Sequence, residues 1–543
     1  MDSAASKQAK VDCDKFRLRR FVERLMDIGE VEVHEEPVAL ADLSAVIEAS
    51  PKATLFKCVG EEKYEMVAAV AGGRRRLAAA FGVDERNIAQ EYMRRLNHPQ
   101  PTVFVSSSEA PVHEVIVKGE DVDLGKLPFH LQHECDGSTY LSSGIDFTVD
   151  PATGKTNVGC RRLMLRGKRE MRSNLTDLSD LRRIYVGCIE RGEKLPVSFA
   201  IGSHPLDYLA AGSKFPVDEF GLVATLRGEP VPMVRGVTND VPAPADAEMI
   251  IEGYFDELGY REIEGPYGEF YAHYGPPHID PVFHVTAITR RRDALHQTVL
   301  HAGRRLSRTD SGNLGALNAE LRIWRALRAA GIEPAAVRSL PASNGRQHAR
   351  VALKRGAPGQ ARLAISALLA IPFIKHAFVV DDDVDVFCDE EVEWAMSTRF
   401  RADRDLIVAA GCPAIYMDPM ALEDGSMVKA GFDLTAPYGR RDTVERRVAC
   451  APHFTGEEVR AGSVEQALES GPKYFMQIMQ AVGSRDGREV ALELERLREA
   501  GVVVRLPTNG EWALKSWKPV ERAPKPGLPP DTHASSAGPD HRM

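Results

Sequence analysis

The chain has 543 residues, 43% apolar and 27% charged, with 69 basic side chains against 78 acidic ones for a net charge of -9. That length exceeds one ordinary hydrophobic core and calls for two or three domains. No basic stripe with interleaved aromatics marks a nucleic-acid binder, and no run approaches the roughly 20 apolar residues of a membrane span.

The first residues, MDSAASKQAKVDCDKF, lack the apolar core of a secretory signal. Eight cysteines without CxxC spacing read as reduced thiols, so the cytoplasm is the expected compartment. Over 14–29, Phe16, Phe21, Leu25 and Ile28 fall at helical spacing, and Gly29 stands where a C-cap belongs. Mixed short elements to residue 116 suggest an N-terminal α/β region. KGEDVDLGKLPFHLQHECDG then shows no period and reads as an extended connection.

From about 140 the texture turns to alternating strands. GIDFTVDPATGKTNVGCRRLMLRG is a hairpin with a long turn, and VSFAIG, PVPMVRGV, AEMIIEG, VFHVTAITRR and ALHQTVL continue it to about 300. The expectation for 117–312 is a barrel-like β domain. Helix and strand patterns alternate again from 313, ending in the helix GREVALELERLREAG, so 313–520 is read as a C-terminal α/β domain. The Pro-, Gly- and Ser-rich end, 521–543, is expected to be disordered. The fold class is therefore α/β (α+β).

EGPYGE places Glu264 and Glu269 on either side of a Gly-Pro-Tyr-Gly turn. A turn needs Gly and Pro but not flanking acids. Few other polar groups are present to solvate them, so the turn reads as a device for holding paired carboxylates, one of which can be kept protonated as an acid. Such a pair needs a cation. Arg161 and Arg162 are strand neighbours whose side chains diverge, so one of them is the candidate. Asp218 or Glu219 opens a helix in FPVDEFGLVA, and Lys429 stands among small and apolar residues in SMVKAGFD.

Taken together, TNVGCRR, VDEFGLVA, EGPYGE, VVDDDVDVF, AMSTRF and SMVKAGFD resemble the UbiD-type decarboxylases, the family that includes ferulic acid decarboxylases. The resemblance runs from about residue 14 to about 440. It implies a prenylated-FMN-binding split barrel flanked by an N-terminal α/β region and a C-terminal α/β oligomerisation domain. It also implies a reversible, non-oxidative decarboxylase acting through a substrate–cofactor cycloadduct. Cofactors implied are prenylated FMN, Mn2+ and K+, the flavin being supplied by a flavin prenyltransferase, and a homodimer or higher homo-oligomer is implied.

Carried over residue by residue, the resemblance makes Arg162, Glu264 and Glu269 the catalytic trio, with Glu269 the proton donor. Asn157 and Glu219 become metal ligands. Asn157, Arg161, Arg162, Ser179, Glu219 and Lys429 become cofactor contacts, Lys429 on the phosphate. The family's metal-binding His is missing: the count along TDLSDLRRIYVG puts Asp180 there, with Ser179 as the nearest oxygen alternative. Leu314 and Asn318 fall on the substrate-lining helix. The Asn318 amide suits a ring heteroatom, so a pyrrole-, indole- or phenazine-type acid is favoured over a cinnamic acid. The competing readings are an FMN-dependent oxidoreductase on a split barrel, which would not need the trio, and a catalytically silent subunit.

Overall fold

Six antiparallel strands close on themselves at the centre of the chain. In the computed structural model, which describes residues 11–175, 179–215, 218–354, 356–415, 417–437, 449–455 and 460–518, Met249–Phe255 pairs with Leu195–Ile201, which pairs with Tyr140–Val149. Tyr140–Val149 pairs with Thr156–Gly167, then Glu170–Ser173, then Val282–Arg290, which returns to Met249–Phe255. The strands bury both faces. Leu195, Val197, Phe199 and Ile201 point into one apolar cluster and Ala200 into another, as a period of two requires. Leu181, Ile184, Tyr185 and Cys188, at i, i+3, i+4 and i+7 of the helix Asp180–Arg191, pack into the first cluster.

Two expected barrel strands lie elsewhere. His296–Thr298 joins the N-terminal sheet beside Tyr64–Ala68, and Val231–Arg235 joins Thr102–Phe104 and Pro242–Pro244. The edge that Ala287–Arg290 leaves open is taken by Val115–Lys118, and these two short segments find their partners in the other sheets instead. The expected extended connection after residue 117 is also different. It carries two 3-10 turns, Gly119–Asp121 and Leu124–Lys126, and Val122, Leu124 and Phe129 pack into the barrel-side cluster.

The N-terminal helix is Leu18–Asp27, with Phe21 and Leu25 buried. After the barrel, the helix Asp310–Ala329 leads to a five-stranded sheet ordered Pro334–Ser339, His348–Leu353, His376–Asp381, Ser426–Asp433, Leu406–Pro413.

The chain divides into two compact units between Tyr438 and Gly439. The second has helices Val464–Leu468, Phe475–Val482 and Arg488–Glu499 and the ladder of Val503–Arg505 with Trp512–Leu514, around Leu468, Ile478, Leu494 and Trp512. The region read as 313–520 spans this division, and the 521–543 tail lies outside the described residues. No helix of the described residues is long and apolar enough to cross a membrane.

Candidate active site

The EGPYGE turn is one end of a doubly paired hairpin. Glu262–Glu264 pairs with His278–Asp280, and Tyr267–Gly268 pairs with Tyr274–Gly275. Gly265 has φ +86°, a conformation side chains disfavour. A Cβ on Gly268 would stand 2.4 Å from the His133 ring, so this position needs glycine for space. The Gly268 N–H donates to Asp136 Oδ1 at 2.9 Å, which ties down the segment just before Glu269.

The two acids converge on one guanidinium. Arg162 Nε and Nη2 donate to the two Glu264 oxygens at 2.8 Å each, and Nη1 donates to Glu269 Oε1. The guanidinium carbon lies 4.5 Å from the centre of the Tyr267 ring. Burial pushes the Glu264 carboxyl up, but the two bonds and the charge of Arg162, with His278 Nδ1 at 3.9 Å, outweigh it and hold it at about 2. A β-bulge sets the direction of Arg162: Leu141 faces Leu163 and Gly144 faces Arg161, so Ser142 and Ser143 stand against one residue, Arg162. Arg161 diverges from it as strand geometry demands, its Nε 3.2 Å from Asp146 Oδ1. Both arginines nevertheless border the same cavity of about 290 Å3, together with Glu269, Tyr267, His301, Leu314, Asn318 and Arg346. Glu269 also borders a second cavity of about 640 Å3 beside His278 and Asp418.

A second group of oxygens gathers where the helix Glu219–Arg227 meets the strand from Thr156. Asp218 caps that helix by accepting from Gly221 N, which places Glu219 in its first turn. Glu219 Oε2 accepts from the Val158 N–H at 2.6 Å, so its carboxylate lies beside Asn157. Asn157 Nδ2 donates to Asp146 Oδ2 at 2.8 Å, which leaves the amide oxygen as its ligating end. Burial, reinforced by the charges of Asp180 and Asp146, pushes the Glu219 carboxyl up to about 7. Ser179 caps the helix Asp180–Arg191, its hydroxyl accepting from Arg182 N. Asp180 carries ion pairs of 3.6 Å with Arg183 and with Lys214. An amide oxygen and carboxylates make an oxygen donor set that fits a hard divalent ion.

Lys429 lies in the strand Ser426–Asp433. It is 1% exposed in the C-terminal sheet, and its ammonium donates to Leu369 O at 3.0 Å and Ile371 O at 2.7 Å. A buried ammonium needs acceptors. Here the end of the helix Gln360–Leu369 provides them. Leu314 and Asn318 do line the reaction cavity. Asn318 Oδ1 accepts from Tyr92 OH at 2.9 Å and Ser213 Oγ at 3.0 Å. Its NH2 is the end beside Gly212, another cavity residue.

Sequence reading missed His278 and Asp280. Among the described residues, Glu264, His278 and Asp280 are the group of His and carboxylates close enough to share a metal ion. Arg162 already occupies both Glu264 oxygens, so the group reads better as a charge network than as a cation site. Burial and the Glu264 charge push the Asp280 carboxyl up to about 6, and its interaction with Glu264 raises His278. The signal was the HID triplet, whose alternate residues share the face of Glu264 once the ladder register sets His278 opposite Glu264 and Asp280 opposite Glu262.

Three models of one family match the chain in order: the 3-octaprenyl-4-hydroxybenzoate carboxy-lyase N-terminal domain over 22–96, its Rift-related domain over 103–304 and its C-terminal domain over 312–434. Among curated proteins, the chain is 29% identical over 441 residues to an anhydromevalonate phosphate decarboxylase of Methanothermobacter thermautotrophicus, covering 79% of this chain and 99% of that protein. It is 30% identical over 437 residues to its counterpart in Methanosarcina mazei, covering 79% and 98%. Among solved structures, the UbiD-class enzyme HmfF from Pelotomaculum thermopropionicum in complex with FMN superposes with TM-score 0.74 at 31% identity, over 80% of this chain and 97% of that one. An evolved dimeric form of HmfF with prFMN gives 0.71 at 30%, over 78% and 96%. The apo 3,4-dihydroxybenzoic acid decarboxylase of Enterobacter cloacae gives 0.74 at 25%, over 82% and 98%.

Proposed function

Since this chain belongs to the UbiD family of carboxy-lyases, we propose that it is a reversible, prenylated-FMN-dependent decarboxylase of an aromatic or heteroaromatic carboxylic acid. The observation that carries the reading is the convergence of Glu264 and Glu269 on Arg162 at the wall of one cavity. An oxidoreductase using ordinary FMN for hydride transfer has no need of this trio.

The cofactor, when bound, accepts electron density from the carbon that loses CO2. Around it the chain does the rest. Glu264 takes both Nε and Nη2 of Arg162 and thereby fixes the direction in which the guanidinium meets a substrate carboxylate. Glu269 delivers the proton to the carbon left by CO2. Its place between the two cavities lets it recover a proton from the larger one. Asn157 through its amide oxygen, Glu219, and Asp180 or Ser179 would hold a manganese ion that meets the flavin phosphate. Arg161, at the wall of the same cavity as Arg162, would face the cofactor.

The Asn318 NH2 is a donor, which suits an acceptor atom on the substrate ring. This favours a phenazine-type nitrogen or a ring oxygen over the N–H of a pyrrole or indole. A second reading comes from the archaeal relatives: an acid resembling anhydromevalonate phosphate, whose charge Arg161 and Arg346 at the cavity wall could meet.

The test is a panel of furoate, a phenazine carboxylate, pyrrole and indole carboxylates, cinnamate and anhydromevalonate phosphate. Each is offered to protein co-produced with a flavin prenyltransferase, and CO2 is measured. Glu269→Gln should lose roughly a hundredfold to ten-thousandfold of the turnover and retain flavin. Parent-level turnover in that variant would remove Glu269 as the donor.

A further inference from the structure

The hairpin that carries Glu269 is held from both ends. Ahead of Glu269, Gly268 N–H is bound by Asp136. Behind it, Tyr271 is 4% exposed and its hydroxyl accepts from Gln347 Nε2 at 2.9 Å. Gln347 is itself 8% exposed and immediately precedes the strand His348–Leu353 of the C-terminal sheet. Its backbone oxygen accepts from Lys375 N at 2.8 Å and His376 N at 3.0 Å, so its side chain springs from a fixed point.

The contact continues into the C-terminal region. Gln347 Nε2 donates also to Asp418 Oδ2 at 3.1 Å, and its Oε1 accepts from Asn344 Nδ2 at 2.9 Å. Asp418 Oδ2 takes a further bond from Lys375 Nζ at 2.8 Å, and Oδ1 accepts from Met420 N at 2.9 Å. Beside this chain, the Arg346 guanidinium stands 4.9 Å from the centre of the Phe270 ring. Apolar packing between the hairpin and the sheet would tolerate small slips. A buried polar chain with its bonds made specifies one arrangement, because a slip leaves its members unsatisfied.

We propose that Tyr271 and Gln347 are positioning residues for Glu269: through them the C-terminal sheet sets where the Glu269 carboxyl stands between Arg162 and the reaction cavity. The role rests on the reading of Glu269 as proton donor. It gives the C-terminal α/β region a part in the reaction that the trio alone does not show. Asp418 adds a second effect, since it and Glu269 line the same 640 Å3 cavity.

Tyr271→Phe removes only the hydroxyl and keeps the ring, and Gln347→Leu removes the amide. Amide hydrogen exchange on the full chain gives a readout that needs no turnover. Peptides covering 265–275 should exchange about tenfold faster in both variants, while those covering the barrel strand Met249–Phe255 stay at the parent rate. With cofactor loaded, and on the panel acid that the parent turns over fastest, Tyr271→Phe should lose about tenfold to a hundredfold in kcat, the scale of a small misplacement. KM should stay within about twofold, and flavin content and thermal midpoint should stay at parent values. Added to Glu269→Gln, it should cause no further loss.

Parent exchange and parent kcat in Tyr271→Phe would overturn the proposal. So would an equal kcat loss in the Glu269→Gln background, which would mean the hydroxyl acts otherwise than through Glu269. Glu269→Gln turning over at the parent rate would overturn the donor reading instead, whatever Tyr271 does.

Discussion

Two mostly buried glutamates in this molecule have opposite fates. Glu264 is 0% exposed, and its carboxyl is held at about 2. Glu219, at the neighbouring oxygen cluster, is pushed up to about 7. Burial raises both. The difference is the company: Glu264 receives two bonds from Arg162, whereas Glu219 accepts a backbone N–H and faces the charges of Asp180 and Asp146. One site balances its charge with a side chain of its own. The other is a concentration of oxygens of the kind that divalent cations bind. On the proposed function, the first would orient a substrate and move protons, and the second would hold a divalent ion.

The largest break in this contrast should come from Arg162→Met. It removes the counter-charge and leaves Glu264 buried alone, a change on the order of 3–5 kcal/mol of stability when one partner of a buried pair is lost. Turnover should vanish, and calorimetry beside a CO2 assay reads both effects. A variant of parent stability would show that Glu264 does not depend on Arg162 for its charge.

Glu219→Ala should act on the other side only. Metal content after gel filtration should fall by at least roughly tenfold, the scale seen when even outer residues of a metal site are lost. Flavin retention should fall with it and the thermal midpoint should change little. Full metal occupancy in this variant would end the assignment.

The smallest effect is in acid. Because the Glu264 carboxyl lies at about 2 in the fold against an ordinary 4.5, its stabilisation is fully present above pH 4.5 and is lost as pH falls toward 2. Asp280 runs the other way: raised to about 6 from 3.8, it favours the fold below 3.8 and loses that contribution as pH rises through 6. Denaturant midpoints recorded between pH 6 and 3 should decline less steeply at the acid end in Glu264→Gln than in the parent. Parallel curves would mean that Glu264 is not held ionised by the fold.

Much of this was legible in residue order. The hairpin around DPATGKTN, the helix ending near Gly29 and the alternation from 313 onward are local patterns, and each forms, although the first helix begins at Leu18 rather than at 14 and the helix expected from 313 begins at Asp310. The trio was legible because EGPYGE and TNVGCRR occur together with the other motifs, a combination more specific than any one of them. His278 and Asp280 were not, because a histidine and an aspartate two apart mean nothing until a ladder register places His278 opposite Glu264 and Asp280 opposite Glu262 on the same face. The partners of Lys429 were hidden for a similar reason: its motif said lysine among small residues, but only the packed helix end at Leu369 and Ile371 shows which acceptors meet the ammonium.

The sequence by itself therefore determined the element types, the family and the chemical character of the candidate site. Local propensity, turn chemistry and motif identity act over a few residues and survive without knowledge of the fold. Only the tertiary structure decided which strands close the barrel, that the bulge at Ser142 and Ser143 lies opposite Arg162, and that Gln347 reaches Tyr271 across 76 positions of chain. Those outcomes depend on which edges remain unpaired and which buried polar groups find partners, and both are properties of the assembled fold.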